Sequence, residues 1–354
     1  MTRRREPTAA VAAVLLCVPA FADATPSSQE GTVLRGASFR SIALGRPLQY
    51  SLYLPPGYDA RDETRRYPTI YLLHGYGGTD VSWIDSGFLK ETADRLIAEG
   101  ALPPSIIVMP FAQTGWYVDS AGSDGAGRWQ TAIVDDLITY VDARYHTVSE
   151  GGSRAIAGLS MGGYGALRFA LMQPDEFVAA ASLSGAIFAD VKSAADFPEF
   201  QLALFGRSFG KTFDPEVFNA DSPWRSLAEN AGNPSEAPAL YMNVGDRDIP
   251  ILAAGNAKFV EALKAAGISV TFSVSPGGHD WKLWAEQTPK MLAFLGARLK
   301  RGATVAQDGS VSDATRVAAG LSTPHTLAAG LGETAPPPPP AQPPAAPKPI
   351  VARP

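Results

Sequence analysis

The chain has 354 residues with 45% hydrophobic content, and its 30 Lys and Arg against 35 Asp and Glu give a formal net charge of −5. Because no basic run follows the first few residues, the charge pattern argues against a nucleic-acid partner. Core-forming sequence extends from about residue 25 to residue 301, which predicts one globular domain.

The N-terminus has the composition of an export signal. Three arginines at residues 3–5 precede an apolar stretch at residues 9–22, and residues 22–24 (Ala-Asp-Ala) have the form of a signal-peptidase site. This order predicts a signal peptide over residues 1–24 and a periplasmic or secreted protein, with a retained apolar helix as the alternative. The stretch is shorter than the about 18 residues of a spanning helix, so we predict no integral membrane segment after signal removal.

The thiol content excludes several kinds of site. The single cysteine, Cys17, lies inside the predicted signal, so the mature chain would form no disulfide and no thiolate metal site. No pair of histidines has metal-ligand spacing, and no phosphate-cradling loop is present. We therefore predict neither a metal nor a cofactor.

Predicted strands and helices alternate through the domain. Residues 48–54 alternate apolar and polar side chains, the period of a half-exposed antiparallel edge strand. Further on, short apolar runs are separated by helical periods, such as that of Ile133, Leu137 and Val141 in residues 131–144. This alternation predicts an α/β fold, with a mostly parallel central sheet, antiparallel N-terminal edge strands and helices on both faces. The predicted parallel strands are residues 69–73, 105–109, 155–157, 178–183, 239–244 and 269–274.

Two segments depart from this alternation. Residues 187–238 contain short aromatic-rich pieces without a clear period, including Phe205 and Trp224, and predict a small cap inserted over the sheet. Residues 302–354 are rich in Ala, Gly, Ser and Pro, with five consecutive prolines at residues 336–340. That composition cannot pack a core and predicts a disordered tail.

One short motif carries the chemistry. Gly158-Leu159-Ser160-Met161-Gly162 follows a predicted strand and precedes a predicted helix, the context in which a G-x-S-x-G string marks a nucleophilic serine. A sharp strand-to-helix turn brings backbone atoms too close together for a Cβ, which explains the glycines beside the serine. We predict Ser160 as the nucleophile.

A serine hydroxyl needs a general base, and the chain has four histidines. His325 lies in the predicted tail, His146 lies in a loop before the serine strand, and His74 ends an early strand. His279 follows the last strand, where the α/β-hydrolase fold, in which a G-x-S-x-G serine occurs, places its base. We therefore predict His279 as the base.

Two carboxylates follow the strand at residues 239–244 and compete for the role of triad acid. Asp248 has the longer reach back toward His279, whereas Asp246 lies closer to the strand and could brace the loop. We prefer Asp248, which would accept a hydrogen bond from His279 Nδ1 without taking the proton.

The oxyanion formed by serine attack needs two donors. We expect the backbone amides of Met161, next after the nucleophile, and of Tyr76, in the glycine-rich residues 74–78. His74 would then brace this loop rather than take part in the reaction. Trp83, Trp116, Tyr117 and Trp281 lie near predicted loop ends and could form an aromatic wall for an acyl or aryl group, although aromatic residues at such places are as often core.

Four motifs resemble the esterase D family. They are residues 52–58 (LYLPPGY), 71–75 (YLLHG), 158–163 (GLSMGG) and 277–281 (GGHDW). That family includes feruloyl esterases, S-formylglutathione hydrolases, siderophore-ester hydrolases and mycolyltransferases, all cofactor-independent Ser/His/acid enzymes of the α/β-hydrolase fold. The resemblance spans about residues 33–298 and implies Ser160, Asp248 and His279 as the triad, with the Tyr76 and Met161 amides as oxyanion donors.

The sequence leaves three functions open. The leading one is a serine carboxylic-ester hydrolase acting on a small-molecule or polysaccharide-linked ester through an acyl-enzyme. An acyltransferase would share the acyl-enzyme and pass it to an alcohol, and a noncatalytic module would bind ligand in the same cleft. The acyl group, the alcohol and the oligomeric state are not predicted.

Overall fold

The computed structural model of the protein describes residues 30–120, 126–188, 191–230 and 233–300. The predicted signal peptide at residues 1–24 and the predicted tail at residues 302–354, with His325, lie outside the described residues. The domain limits at residues 25 and 301 therefore remain predictions.

Eight strands form one sheet in the order β1-β2-β4-β3-β5-β6-β7-β8. β1 pairs antiparallel with β2 and β2 antiparallel with β4, whereas every later pair is parallel. The predicted fold class is confirmed, and all six predicted apolar runs form parallel strands. The strands are β1 Thr32–Arg40, β2 Pro47–Leu54, β3 Thr69–Leu73, β4 Ile106–Pro110, β5 Arg154–Leu159, β6 Ala179–Leu183, β7 Ala239–Gly245 and β8 Val270–Ser275.

Helices connect the strands. The segment predicted as one helix over residues 131–144 starts earlier, at Trp129, and contains a π-helical stretch, Ala132–Leu137, between α3 and α4. No helix in the described ranges has the length and apolar character needed to cross a membrane. The helices are α1 Ser82–Asp85, α2 Leu89–Ala98, α3 Trp129–Thr131, α4 Ile138–Arg144, α5 Met161–Met172, α6 Glu199–Phe205, α7 Pro215–Ala220, α8 Pro223–Asn230, α9 Pro250–Ala265 and α10 Trp281–Gly296.

The central strands are buried on both faces, which explains their unbroken apolar sequence. In β3, Ile70 and Leu72 face one hydrophobic core, which is packed against α2 and α10. Tyr71 and Leu73 face the other core, packed against α5 and α9. Because successive side chains of a strand point to opposite faces, a strand between two helical layers needs apolar residues at every position.

The cap contains α6, α7 and α8, and its buried aromatic residues belong to the same hydrophobic core as α5 and α9. Phe205, Phe209 and Phe218 are nearly fully buried, with ring centroids of Phe209 and Phe218 4.8 Å apart. The cap is joined to α5 by Tyr164, whose hydroxyl donates to the backbone oxygen of Asp221 at 2.6 Å. Its aromatic residues lack a period because they lie on short helices and in the loops between them, not along one helical stripe.

Candidate active site

Ser160 lies at the sharp turn between β5 and α5. Its φ of 50° and ψ of −118° form a conformation that non-glycine residues rarely adopt, so the surrounding contacts must hold it. A Cβ on Gly158 would lie 2.2 Å from the backbone of Gly162, and a Cβ on Gly162 would lie 2.3 Å from Leu73 O. The two glycines are therefore a steric requirement of the turn, as the motif predicts.

A chain of hydrogen bonds joins three side chains at the carboxyl ends of the strands. His279 Nε2 lies 2.9 Å from Ser160 Oγ, and His279 Nδ1 lies 2.8 Å from Asp248 Oδ1. The structure thus brings together the predicted nucleophile, base and acid from the loops after β5, β8 and β7. In this arrangement a neutral imidazole can accept the hydroxyl proton at Nε2 while its Nδ1–H donates to the carboxylate.

Asp248 is held by several donors in a buried position. Its Oδ2 accepts from Ser184 Oγ at 2.5 Å and from Gly245 N at 3.3 Å, and its Oδ1 accepts from Ile249 N at 2.7 Å. Burial raises the pKa of this carboxyl, but the hydrogen bonds from His279 and Ser184 outweigh burial and hold the pKa below the ordinary value of 3.8. The carboxylate is therefore charged at neutral pH.

Asp246 lies outside this chain of hydrogen bonds. Its Oδ1 accepts from Gly277 N at 2.9 Å, and its backbone N–H donates to Ser275 O at 2.8 Å. These bonds hold the loop between β8 and α10, which carries His279. Its position corresponds to the loop-bracing role that the sequence left open for it.

Ser184 is a site residue that the sequence reasoning missed. It is fully buried, with a φ of 49°, and its hydroxyl donates to Asp248 while accepting the indole N–H of Trp284 at 3.1 Å. The available signal was its place directly after β6, because β6 lies in the sheet between the strands that carry Ser160 and Asp248.

His74 is buried beneath the glycine-rich loop. Its Nε2 accepts the backbone N–H of Ala112 at 3.0 Å, so Nδ1 carries the proton and donates to Gly75 O at 2.7 Å. Tyr117 adds a hydrogen bond from its hydroxyl to His74 O at 2.9 Å. Burial lowers the pKa of His74 to about 4, so the ring is neutral at neutral pH and the loop is braced by one tautomer.

The glycine-rich loop lies against the nucleophile turn. A Cβ on Gly75 would lie 2.6 Å from Leu159 Cδ1 and 3.4 Å from Ser160 Cβ, so this close approach requires glycine. Tyr76 and Met161 line the same cavity as Ser160. Met161 is also the first residue of α5, where backbone N–H groups have no partner within the helix.

The cavity above Ser160 has a volume of about 410 Å³ and is mainly apolar. Within the described part of the chain, its lining contains no Asp, Glu, Lys or Arg. The lining residues are Gly75, Tyr76, Gly77, Gly78, Ser82, Trp116, Leu159, Ser160, Met161, Ala186, Phe188, Phe200, Gln201, Leu204, Phe205, Ile249, Leu252, His279, Trp281 and Trp284.

The predicted aromatic wall is only half present. Trp116 and Trp281 line the cavity, whereas Trp83 and Tyr117 have fully buried side chains outside its lining. Trp83 donates its indole N–H to Leu73 O at 3.1 Å and packs edge-on against Trp281, with ring centroids 5.5 Å apart. Loop ends bring both kinds of residue near the site, but Trp83 and Tyr117 support the lining from below.

The sequence of the chain matches one known protein family. A sequence model of the Esterase family, described as "Putative esterase", matches residues 41–295, well over half of the chain. The chain belongs to the Esterase family. The family resemblance predicted from the four motifs is therefore confirmed, and the predicted enzyme class, carboxylic-ester hydrolase, is the one that the family name denotes. Tyr76, Ser160, Asp248 and His279 all lie inside the matched region.

Several individual esterases are moderately similar to this chain in sequence. An endo-1,4-beta-xylanase/feruloyl esterase of Xylanibacter ruminicola is 29% identical over 266 residues, which are 74% of this chain and 31% of that protein. An esterase of Mycobacterium tuberculosis is 31% identical over 264 residues, 69% of this chain and 55% of that protein. The chain thus spans only 31% and 55% of the length of these two relatives. A solved ferulic acid esterase is 26% identical with a TM-score of 0.64, covering 76% of this chain and 99% of the other.

Proposed function

We propose that this Esterase family member is an exported serine carboxylic-ester hydrolase with Ser160 as nucleophile, His279 as general base and Asp248 as the orienting acid. The observation that carries the proposal is the hydrogen-bond chain from Ser160 Oγ through His279 to Asp248, which opens into an apolar cavity. Export rests on the N-terminal sequence alone, and in a secreting bacterium the mature protein should begin at Thr25.

Acylation follows from this geometry. His279 Nε2 accepts the Ser160 hydroxyl proton as Oγ attacks the ester carbonyl carbon, and the carbonyl oxygen becomes an oxyanion. The backbone amides of Met161 and Tyr76 donate to that oxyanion. His279 then returns the proton to the alkoxy oxygen, the ester C–O bond breaks, and the alcohol leaves with the acyl group on Ser160.

Deacylation repeats these steps with water. His279 takes a water proton, the hydroxide attacks the acyl carbon, and the proton passes to Ser160 Oγ as the acid is released. Asp248 stays ionised throughout, because its hydrogen bonds keep its pKa low, and it stabilises the imidazolium in both steps.

The lining of the cavity restricts which acyl groups the substrate can carry. The described lining contains no Lys or Arg, so an anionic acyl group would lose hydration without gaining either partner, and an uncharged acyl group is favoured. Trp116, Phe200 and Trp281 offer ring faces to a flat or flexible apolar group. Because the similar proteins include a feruloyl esterase and a ferulic acid esterase, aryl esters belong in the test panel.

The test is hydrolysis of p-nitrophenyl esters, from acetyl through long acyl to feruloyl, by the parent and by Ser160→Ala. We expect Ser160→Ala to lose hydrolysis by at least about a thousandfold, since the nucleophile is removed. Ser182→Ala is the control, because Ser182 is buried in β6 and does not line the cavity, and it should stay near parent activity.

Two outcomes would contradict the proposal. Equal rates from folded parent and folded Ser160→Ala would leave a noncatalytic binding module as the better account. Transfer of the acyl group to added sugar or glycerol in preference to water would assign an acyltransferase, and mass spectrometry of the products distinguishes the ester from the free acid.

A further inference from the structure

A second cavity lies beside the first. It has a volume of about 250 Å³, and its lining includes the apolar side chains of Val191, Phe197 and Ile251 together with Lys258 and Asp196. Phe188 belongs to the lining of both cavities and is the side chain that they share. Phe188 is only 6% exposed, and its ring forms a partition between the two cavities.

The backbone of residues 185–187, directly before Phe188, is fixed by contacts with two elements. Ala186 N donates to Ser160 O at 3.0 Å, which ties the loop to the nucleophile turn. On the other side, Asn256 Nδ2 donates to Gly185 O at 2.7 Å. A Cβ on Gly255 would lie 1.7 Å from Ile187 O, so the loop sits directly on α9. The partition therefore has a set distance from Ser160 Oγ.

We propose that Phe188 determines the acyl-chain length that the enzyme accepts, and that the second cavity is a distal acyl site closed off by its ring. This inference rests on the proposed function. In the parent, an acyl chain on Ser160 ends against Phe188. Removing the ring joins the two cavities into one channel, in which the end of a longer chain contacts the apolar side chains of Val191, Phe197 and Ile251.

The physical basis is the burial of methylene groups. Each methylene moved from water into an apolar site improves binding by about fourfold. A chain stopped by Phe188 leaves its far methylenes in water or forces the ring aside, whereas an open channel buries them. Because the same methylenes stay buried in the transition state, the gain should appear in kcat/KM.

The test compares p-nitrophenyl butyrate, octanoate and dodecanoate below their aggregation limits. We expect Phe188→Ala to raise the kcat/KM ratio of dodecanoate over butyrate by at least about tenfold. Phe188→Leu, which removes less volume, should give a smaller rise. Phe218→Ala is the matched control, because Phe218 packs 5.9 Å from Phe188 in the same cluster but lines neither cavity, and it should leave the ratio unchanged.

The outcomes separate this inference from the proposed function. If the parent shows no Ser160-dependent hydrolysis of butyrate, the proposed function fails first. If it hydrolyses butyrate but the ratio is the same in parent, Phe188→Ala and Phe188→Leu, the partition is not the length determinant. An equal rise in Phe218→Ala would also overturn the inference, since general loosening of the cap would explain it. If Phe188→Ala does not fold, Phe188→Leu decides.

Discussion

The indole N–H of Trp284 donates to the hydroxyl of Ser184 at 3.1 Å, and that hydroxyl is thereby turned to donate to Asp248 Oδ2 at 2.5 Å. Trp284 also packs edge-on against the His279 ring, with centroids 5.0 Å apart. One tryptophan therefore positions both partners of the His279–Asp248 hydrogen bond, through a serine on one side and by ring contact on the other.

Ser184→Ala tests this arrangement. The variant leaves the buried Trp284 N–H without an acceptor and Asp248 without one donor, so we expect the free energy of unfolding to fall by about 1–3 kcal/mol. Loss of that donor should also raise the pKa of Asp248, so the acid limb of the stability profile should move to higher pH. Because Ser184 acts through Asp248, kcat should fall with KM little changed.

Ser182→Ala is the matched control for this prediction. Ser182 is also fully buried, two residues earlier on β6, but its hydroxyl has no hydrogen-bond partner among the described residues. We expect its removal to leave kcat and the acid limb unchanged. Urea unfolding and pH–rate profiles of the two variants, compared with the parent, make the distinction. Parallel behaviour of both variants would show that Ser184 only fills space.

Asp248 and Asp246 can be separated by matched amide substitutions. Asp248→Asn replaces the acceptor of the His279 Nδ1–H and favours the wrong tautomer, so kcat should fall by about 10⁴. Asp246→Asn keeps an oxygen for the Gly277 N–H and should lower kcat by less than about tenfold. Initial rates on a short p-nitrophenyl ester give the comparison. The larger loss in Asp246→Asn would reverse the assignment of the acid.

The features that could be predicted from the sequence are those that depend on a local residue pattern. The buried strands were predictable because strands covered on both faces need apolar residues at every position, as in Thr69–Leu73. Ser160 and His279 were predictable because their order along the chain and the sharp turn have sequence signatures. The position of the first strand, Thr32–Arg40, was not predicted, because its side chains are mostly exposed and a bulge between Leu34 and Ala37 interrupts its alternation.

The features that could not be predicted from the sequence depend on contacts between residues that are distant along the chain. Ser184 has no motif, and its role exists only because strand order places β6 between two loops of the site. Trp83 and Tyr117 were expected in the cavity, yet position along the chain cannot distinguish a residue beneath a loop from one on its upper face. The π-helical stretch over 132–137 keeps Ile133 and Leu137 buried despite its wider turn, so the apolar pattern gave no sign of it.

The buried ion pair between Arg168 and Asp221 should hold the cap to α5. Arg168 Nη2 lies 2.5 Å from Asp221 Oδ1, and the arginine side chain is 4% exposed. Burial raises the pKa of Asp221 even beside Arg168, so the carboxylate depends on this partner. Arg168→Met should lower the free energy of unfolding by about 1–3 kcal/mol, because it leaves the partly buried Asp221 carboxylate, whose side chain is 21% exposed, without its ion-pair partner.

An exposed pair in the same cap gives the control for that substitution. Arg225 pairs with Glu229 at 2.7 Å, but both side chains are at least half exposed. Arg225→Met should therefore change the free energy of unfolding by no more than about 1 kcal/mol. Urea denaturation of the two variants measures both values. Equal, small losses would show that the cap does not depend on the buried pair.

Because the buried His74 ring is neutral, it makes the free energy of unfolding depend on pH. This dependence falls at higher pH than that of the carboxylates. The pKa of His74 is about 4 in the folded state because of burial, against an ordinary value of 6.5. As pH falls below 6.5, the unfolded chain takes up a proton that the folded chain refuses, so unfolding becomes more favourable until pH falls below about 4. The difference between the two pKa values corresponds to about 3 kcal/mol in the free energy of unfolding, of which about 2 kcal/mol is lost between pH 6.5 and 5.

Asp248 and Asp94, whose pKa values are lowered, stabilise the fold above their unfolded pKa and withdraw that stability only as pH falls below about 4. The interval from pH 6.5 to 5 therefore isolates His74 from them. His74→Gln keeps an acceptor for the Ala112 N–H but does not titrate, so its unfolding free energy should fall by about 2 kcal/mol less than that of the parent across this interval. Urea unfolding at about pH 6.5, 5.75 and 5 measures the two slopes. Parallel slopes would mean that His74 accepts a proton in the folded protein, and the loop that carries Tyr76 would then be held by a charged ring rather than by a single neutral tautomer.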